Sequence, residues 1–150
     1  MKQLSFFIIL IVIFSCKKEV PVKDSYTIEV KAPGVYNGMR AYLKTPNERG
    51  RLVNKDTAIV IDEKFTFEGK RDEPTLEYLF INSYDGFLPV IVENGNIEIQ
   101  IEKDSINTSK VIGSPNNESY RAYYNSERNL NNRITQLTAD YRTATVNQAE

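Results

Sequence analysis

The sequence predicts a mainly β domain, an antiparallel β-sandwich or partly open barrel of about seven or eight strands, followed by one long C-terminal amphipathic α-helix. Three observations carry that prediction. From Tyr26 to Ile112 apolar residues alternate in short runs, broken roughly every eight to twelve positions by glycine, asparagine, aspartate or proline. No stretch between those runs has a helical period, so the strands must pair with one another instead of packing beneath crossover helices. At Gly113 the apolar spacing changes from two to three and four, the period of a helix.

Tyr26 to Val30 alternates strictly, with Tyr26, Ile28 and Val30 on one face and Thr27, Glu29 and Lys31 on the other, the pattern of a half-buried strand. Ala32-Pro33-Gly34 breaks it. Asn37-Gly38 then offers the positive backbone angles of a tight turn into Met39 to Leu43, which predicts a first hairpin. Thr45 to Gly50 is a loop, and the next strand, Leu52 to Ile61, is interrupted near Asn54-Lys55. After Asp62-Glu63-Lys64, Phe65 and Phe67 share a face and belong to the core.

Leu76 to Ile81 is apolar on both faces except at Glu77, as a central strand would be. Tyr84-Asp85-Gly86 turns again. Leu88 to Val92 and Ile97 to Ile101 flank Glu93-Asn94-Gly95-Asn96, the strongest hairpin signal in the chain, and Ser109 to Ile112 offers an eighth strand. Ser114 is a helix cap and Pro115 suits a first turn. Tyr120, Tyr123, Leu130, Ile134, Leu137 and Tyr141 then form one stripe, broken only at Glu127.

Composition removes whole classes of chemistry. The 150 residues contain no histidine, no tryptophan and one cysteine, Cys16. A Ser-His-Asp or Cys-His site, a Cys/His zinc site, a CxxC pair and an internal disulfide all need residues the chain lacks. Charge is balanced, 19 basic against 20 acidic residues without a long run of either sign, so nothing marks a nucleic-acid partner. No cofactor or metal is expected, and the chain reads as non-enzymatic.

The first residues read as an address. Lys2 precedes an apolar run from Leu4 to Phe14 that stops at Ser15-Cys16, about eleven residues where a membrane span needs about twenty. Ile13-Phe14-Ser15-Cys16 resembles a lipoprotein signal box, in which the cysteine is lipidated and becomes the first residue after cleavage. The expected organisation is a signal peptide over 1–15, a lipidated tether over 16–25, a β domain over 26–113 and a helix over 114–150. Lys17 after the cysteine resembles outer-membrane sorting, which gives a lipid-anchored protein facing the periplasm.

Asp56-Thr57, Lys64-Phe65-Thr66-Phe67-Glu68-Gly69, Val92-Glu93-Asn94-Gly95-Asn96-Ile97 and Val111-Ile112-Gly113-Ser114-Pro115-Asn116-Asn117 occur in an order and spacing that resembles domain of unknown function 4369. This all-β module commonly precedes thioredoxin-like (AhpC/TSA or ResA-type) domains in envelope lipoproteins. The resemblance covers Tyr26 to about Tyr141. It implies an accessory to, or front part of, a thiol-disulfide oxidoreductase system; without CxxC here, no such activity transfers to these residues.

Two further features are weighed beside it. Thr57 and Ser105, each after an aspartate and before an apolar residue, resemble an O-glycosylation pattern of some envelopes, with an Asp-Ser/Thr turn at a strand end as the plainer reading. Tyr36, Tyr42, Tyr78 and Tyr84 would suit a sugar-stacking platform, which gives the alternative function of a glycan- or ligand-binding outer-membrane lipoprotein. The expected partners are a membrane through acylated Cys16 and, through the 115–145 helix, a thioredoxin-like domain or a second copy of the chain.

Overall fold

Period-two alternation gives each strand one apolar face, and two such faces close on each other. The computed structural model describes residues 23–147; the signal peptide expected over 1–15 and Cys16 lie outside them. The strands are β1 (Tyr26–Lys31), β2 (Arg40–Pro46), β3 (Leu52–Ile59), β4 (Lys64–Gly69), β5 (Thr75–Ile81), β6 (Leu88–Val92), β7 (Gly95–Gln100) and β8 (Lys110–Ile112), followed by helix α1 (Pro115–Asn147). One sheet has the order β4-β1-β7-β8 and the other β3-β2-β5-β6. This is the expected sandwich, with one departure from antiparallel pairing: β1 and β7 run parallel.

The inward residues are those the alternation selects. In the first sheet Ile28 lies between Phe67 and Ile97, and Val30 between Phe65 and Ile99; all four of these neighbours are buried with them. Ala41, Leu43, Leu79, Ile81, Leu88, Val90 and Val92 face them from the second sheet. The rings of Phe65 and Phe67 meet edge to face at 5.7 Å, a favoured aromatic geometry.

Both Asn-Gly turns do something other than the sequence predicts. β1 and β2 lie in different sheets, so Asn37-Gly38 closes no hairpin. Gly38 has φ +84° and donates its N–H to Val60 O as the chain crosses over. Asn94-Gly95 likewise carries the chain from β6 in one sheet to β7 in the other. A left-handed glycine reverses the chain equally well within a sheet or between two, and the residues at the turn do not choose. The true hairpins are β2–β3, β5–β6 and β7–β8.

The interruption expected near Asn54-Lys55 is a bulge in a continuous strand. Leu43 pairs with Asp56 and Lys44 with Asn54, leaving Lys55 without an opposite residue.

Ser114 caps α1: its carbonyl accepts from Glu118 N–H and its Oγ from Asn117 N–H at 3.1 Å. Asn117 also binds the free edge of β6, accepting from Ile91 N–H at 2.8 Å and donating to Ile91 O at 2.7 Å. The strand edge that would otherwise invite another strand is thereby closed. Beyond Tyr124 every described residue of α1 is exposed.

Candidate functional site

Glu77 is the residue whose position the sequence hides. Leu79 and Ile81 of β5 face the core, so Glu77, two residues before Leu79, must face it too, and its side chain is only 2% exposed. A carboxylate there requires a partner from elsewhere. Arg71, on the connection between β4 and β5, supplies it: Nε and Nη2 both donate to Glu77 Oε1, at 2.9 and 2.6 Å. The guanidinium also lies 4.9 Å from the Tyr26 ring centroid. Asn94 holds the Arg71 backbone, accepting its N–H and donating to its carbonyl.

These groups form one end of a cleft of about 610 Å³ at the mouth of the sandwich, lined also by Asp56, Glu68 and Thr75. Burial raises the Tyr26 phenol above its ordinary pKa, and the Glu77 and Asp56 charges add to the rise while Arg71 opposes it. Burial tends to lower Arg71, but the hydrogen bond and charge of Glu77 outweigh it and the net direction is upward. Glu77 Oε2 is buried and has no hydrogen-bond partner among the described residues. Chemically the cleft offers a hydrogen-bond acceptor beside a fixed cation. Glu77 Oε1 already receives two guanidinium donors, which makes the pair a clamp between the β4–β5 connection and the core.

The four tyrosines do not share a face. Tyr42 and Tyr78 lie on the outer side of the second sheet, where Tyr42 pairs across strands with Phe80 and Tyr78 with Lys44. Phe87 joins them, 5.3 Å from Tyr78 and 5.5 Å from Phe80, and Lys44 Nζ sits 4.4 Å from the Phe80 centroid. The first turns of α1 flank this face: burial pushes the Tyr120 phenol up, and neighbouring Tyr78 adds to the shift. Tyr36 and Tyr84 belong to the loops at another part of the domain, near Lys103; Tyr84 packs on the core and donates to Gly34 O at 3.4 Å, whereas Tyr36 is 74% exposed.

Thr57 is exposed within β3, not at its end, and its N–H is held by Asp56 Oδ1. Ser105 is half-buried ahead of a short 3-10 helix, Ile106–Thr108, and donates to Asn107 Oδ1. Cys16 lies outside the described residues.

The stripe on α1 is uncovered from Tyr123 onward. Tyr123, Leu130, Ile134, Leu137 and Tyr141 are each more than half exposed, on a helix whose main contacts with its own domain are with β6 and β8. Among the described residues no helix is long and apolar enough to cross a membrane, and no cluster of three or more His, Cys, Asp or Glu is placed to hold a metal.

Sequence reasoning missed the Arg71–Glu77 clamp. A signal was present, since Glu77 shares the parity of Leu79 and Ile81. A family model described as a domain of unknown function (DUF4369) matches residues 26–120, more than half of the chain. The match spans the sandwich and the cleft and stops where the exposed part of the helix begins. Comparisons with curated proteins and with solved structures found no match.

Proposed function

The chain belongs to the DUF4369 family, and from that premise we propose that it is a non-catalytic, lipid-anchored module of the cell envelope, accessory to or the front part of a thiol-disulfide oxidoreductase system. The observation that carries the reading is the uncovered stripe from Tyr123 to Tyr141 on a helix that leaves its own sandwich, a surface made for a neighbour. The short apolar run ending at the chain's single cysteine supports the anchor, and the Lys17 that follows supports the periplasmic side of the outer membrane. The absence of histidine and of a second cysteine supports a non-catalytic role.

Two measurements test it. Mass spectrometry of the chain from membranes should find a thioether-linked diacylglycerol on Cys16, and Cys16→Ala should move the protein from the detergent to the aqueous phase; an unchanged partition rejects the anchor. The coding sequence next to this one should specify a thioredoxin-like domain with CxxC, and its absence there rejects the redox association.

A second reading rests on Tyr42, Phe80 and Tyr78 standing side by side next to Lys44. Such a face suits stacking on a sugar ring, and a glycan array with wild type against Tyr42→Ala decides it. Saturable binding lost in the variant supports a glycan-binding lipoprotein.

A further inference from the structure

We propose that α1 pairs with the α1 of a second copy of this chain, antiparallel, in the register that sets Ile134 against the partner's Leu137. This deepens the reading of α1 as the module's interaction element and rests on it. The stripe repeats at three and four residues from the half-buried Tyr120 through Tyr123, Glu127, Leu130, Ile134, Leu137 and Tyr141 to Ala144, and is exposed from Tyr123 onward. That is the seam of a two-stranded coiled coil, with Tyr120, Glu127, Ile134 and Tyr141 at one core position and Tyr123, Leu130, Leu137 and Ala144 at the other.

Direction and register follow from the charges beside the seam. Arg133 and Asp140 occupy the same flanking position one heptad apart, both exposed. In an antiparallel pair that position meets its own counterpart, so in the proposed register Arg133 faces the partner's Asp140 and Asp140 faces the partner's Arg133. Sliding by one heptad either way brings arginine against arginine or aspartate against aspartate. A parallel, in-register pair sets both charges beside threonines, Thr138 and Thr145, and stacks the two Glu127 carboxylates in the core, where like charges repel. In the antiparallel register Glu127 instead meets the partner's small Ala144 and reaches past it to water.

With Ile134 against the partner's Leu137, the seam positions from Glu127 to Ala144 all meet one another, about 27 Å of helix at roughly 1.5 Å per residue. That stretch lies beyond Tyr124, where the residues of α1 whose side chains are described are exposed. The two sandwiches then sit at opposite ends of the pair and do not collide along it.

The test uses the full chain with Cys16→Ser in mild detergent. Sedimentation equilibrium should give a monomer–dimer equilibrium. Under mild oxidation, Leu130→Cys chains mixed with Tyr141→Cys chains should form a disulfide-linked dimer, and neither variant should do so alone. Arg133→Asp should raise the dimer Kd roughly threefold to tenfold, and Arg133→Asp with Asp140→Arg should restore it. A chain that stays monomeric, a Leu130→Cys chain that crosslinks to itself as readily as the mixture, or a charge swap that fails to restore the dimer overturns the proposal. The reading beneath it fails by a different result: strong hydrogen-exchange protection of Ile134–Tyr141 in a verified monomer, which would mean the stripe is covered by its own domain.

Discussion

Arg71 is used twice, its edge by Glu77 and its face by Tyr26, and this double use makes the trio sensitive to single changes. Arg71→Ala leaves the Glu77 carboxylate among core residues with no counter-ion. Breaking a buried pair typically costs about 3–5 kcal/mol, and the guanidinium's 23% exposure places this one near the lower end, about 3 kcal/mol by urea denaturation. Arg71→Leu with Glu77→Leu should recover most of that loss, because removing both charges also removes the desolvation cost. Tyr26 gives a pH dependence of known sign. Its folded pKa is raised above the ordinary 10.0, so its contribution to stability is complete below about pH 10 and is lost as pH rises through the folded value. Unfolding free energy should therefore fall more steeply above about pH 10 in wild type than in Tyr26→Phe. Gly69 belongs to the same corner for a different reason: a Cβ there would stand 2.7 Å from Tyr26 Oη, and Gly69→Ala should cost about 1–3 kcal/mol through that clash.

At the scale of elements, the junction of β6 with α1 governs whether the helix has a fixed direction. Ser114 and Asn117 join the two: Ser114 Oγ caps the helix and donates to Glu93, while Asn117 pairs with the Ile91 backbone in both directions. Asn117→Ala strands an N–H and a carbonyl on the β6 edge and should lower stability by about 1–3 kcal/mol. Ser114→Ala should cost about 0.5–2 kcal/mol, with faster proteolysis in the first turns of α1 as the local readout. Gly113 sets the approach to this junction. It has φ +96°, and a Cβ there would lie 2.7 Å from Asn96 O, so the chain can pass β7 into the helix only with glycine at that place.

For the whole molecule, two regions with different exchange behaviour are expected: amides of Ile28, Phe67 and Ile97 protected at every concentration, and amides of Leu130–Tyr141 protected only as the chain self-associates. Hydrogen exchange across a concentration series reads both at once. Much of this architecture is legible along the chain, because a strand declares itself by alternation and a helix by three-four spacing, both local properties. Thus Ile28, Phe65, Phe67 and Ile97 can be assigned to the core, and Tyr120 to Tyr141 to one stripe, from spacing alone. The same logic fails wherever an outcome depends on two distant segments. Asn37-Gly38 and Asn94-Gly95 specify that the chain turns, but whether it turns into a neighbour or across to the facing sheet depends on pairings between segments far apart in sequence, such as the parallel β1–β7 ladder. Tyr42 and Tyr78 come together and Tyr36 and Tyr84 stay apart for the same reason, since strand order and not tyrosine count sets what is adjacent. Alternation alone sufficed to place Glu77 on an inward face; only the folded chain could bring Arg71 and Tyr26 to it, because a carboxylate is tolerated in a core when a loop from another part of the sequence closes over it with the opposite charge.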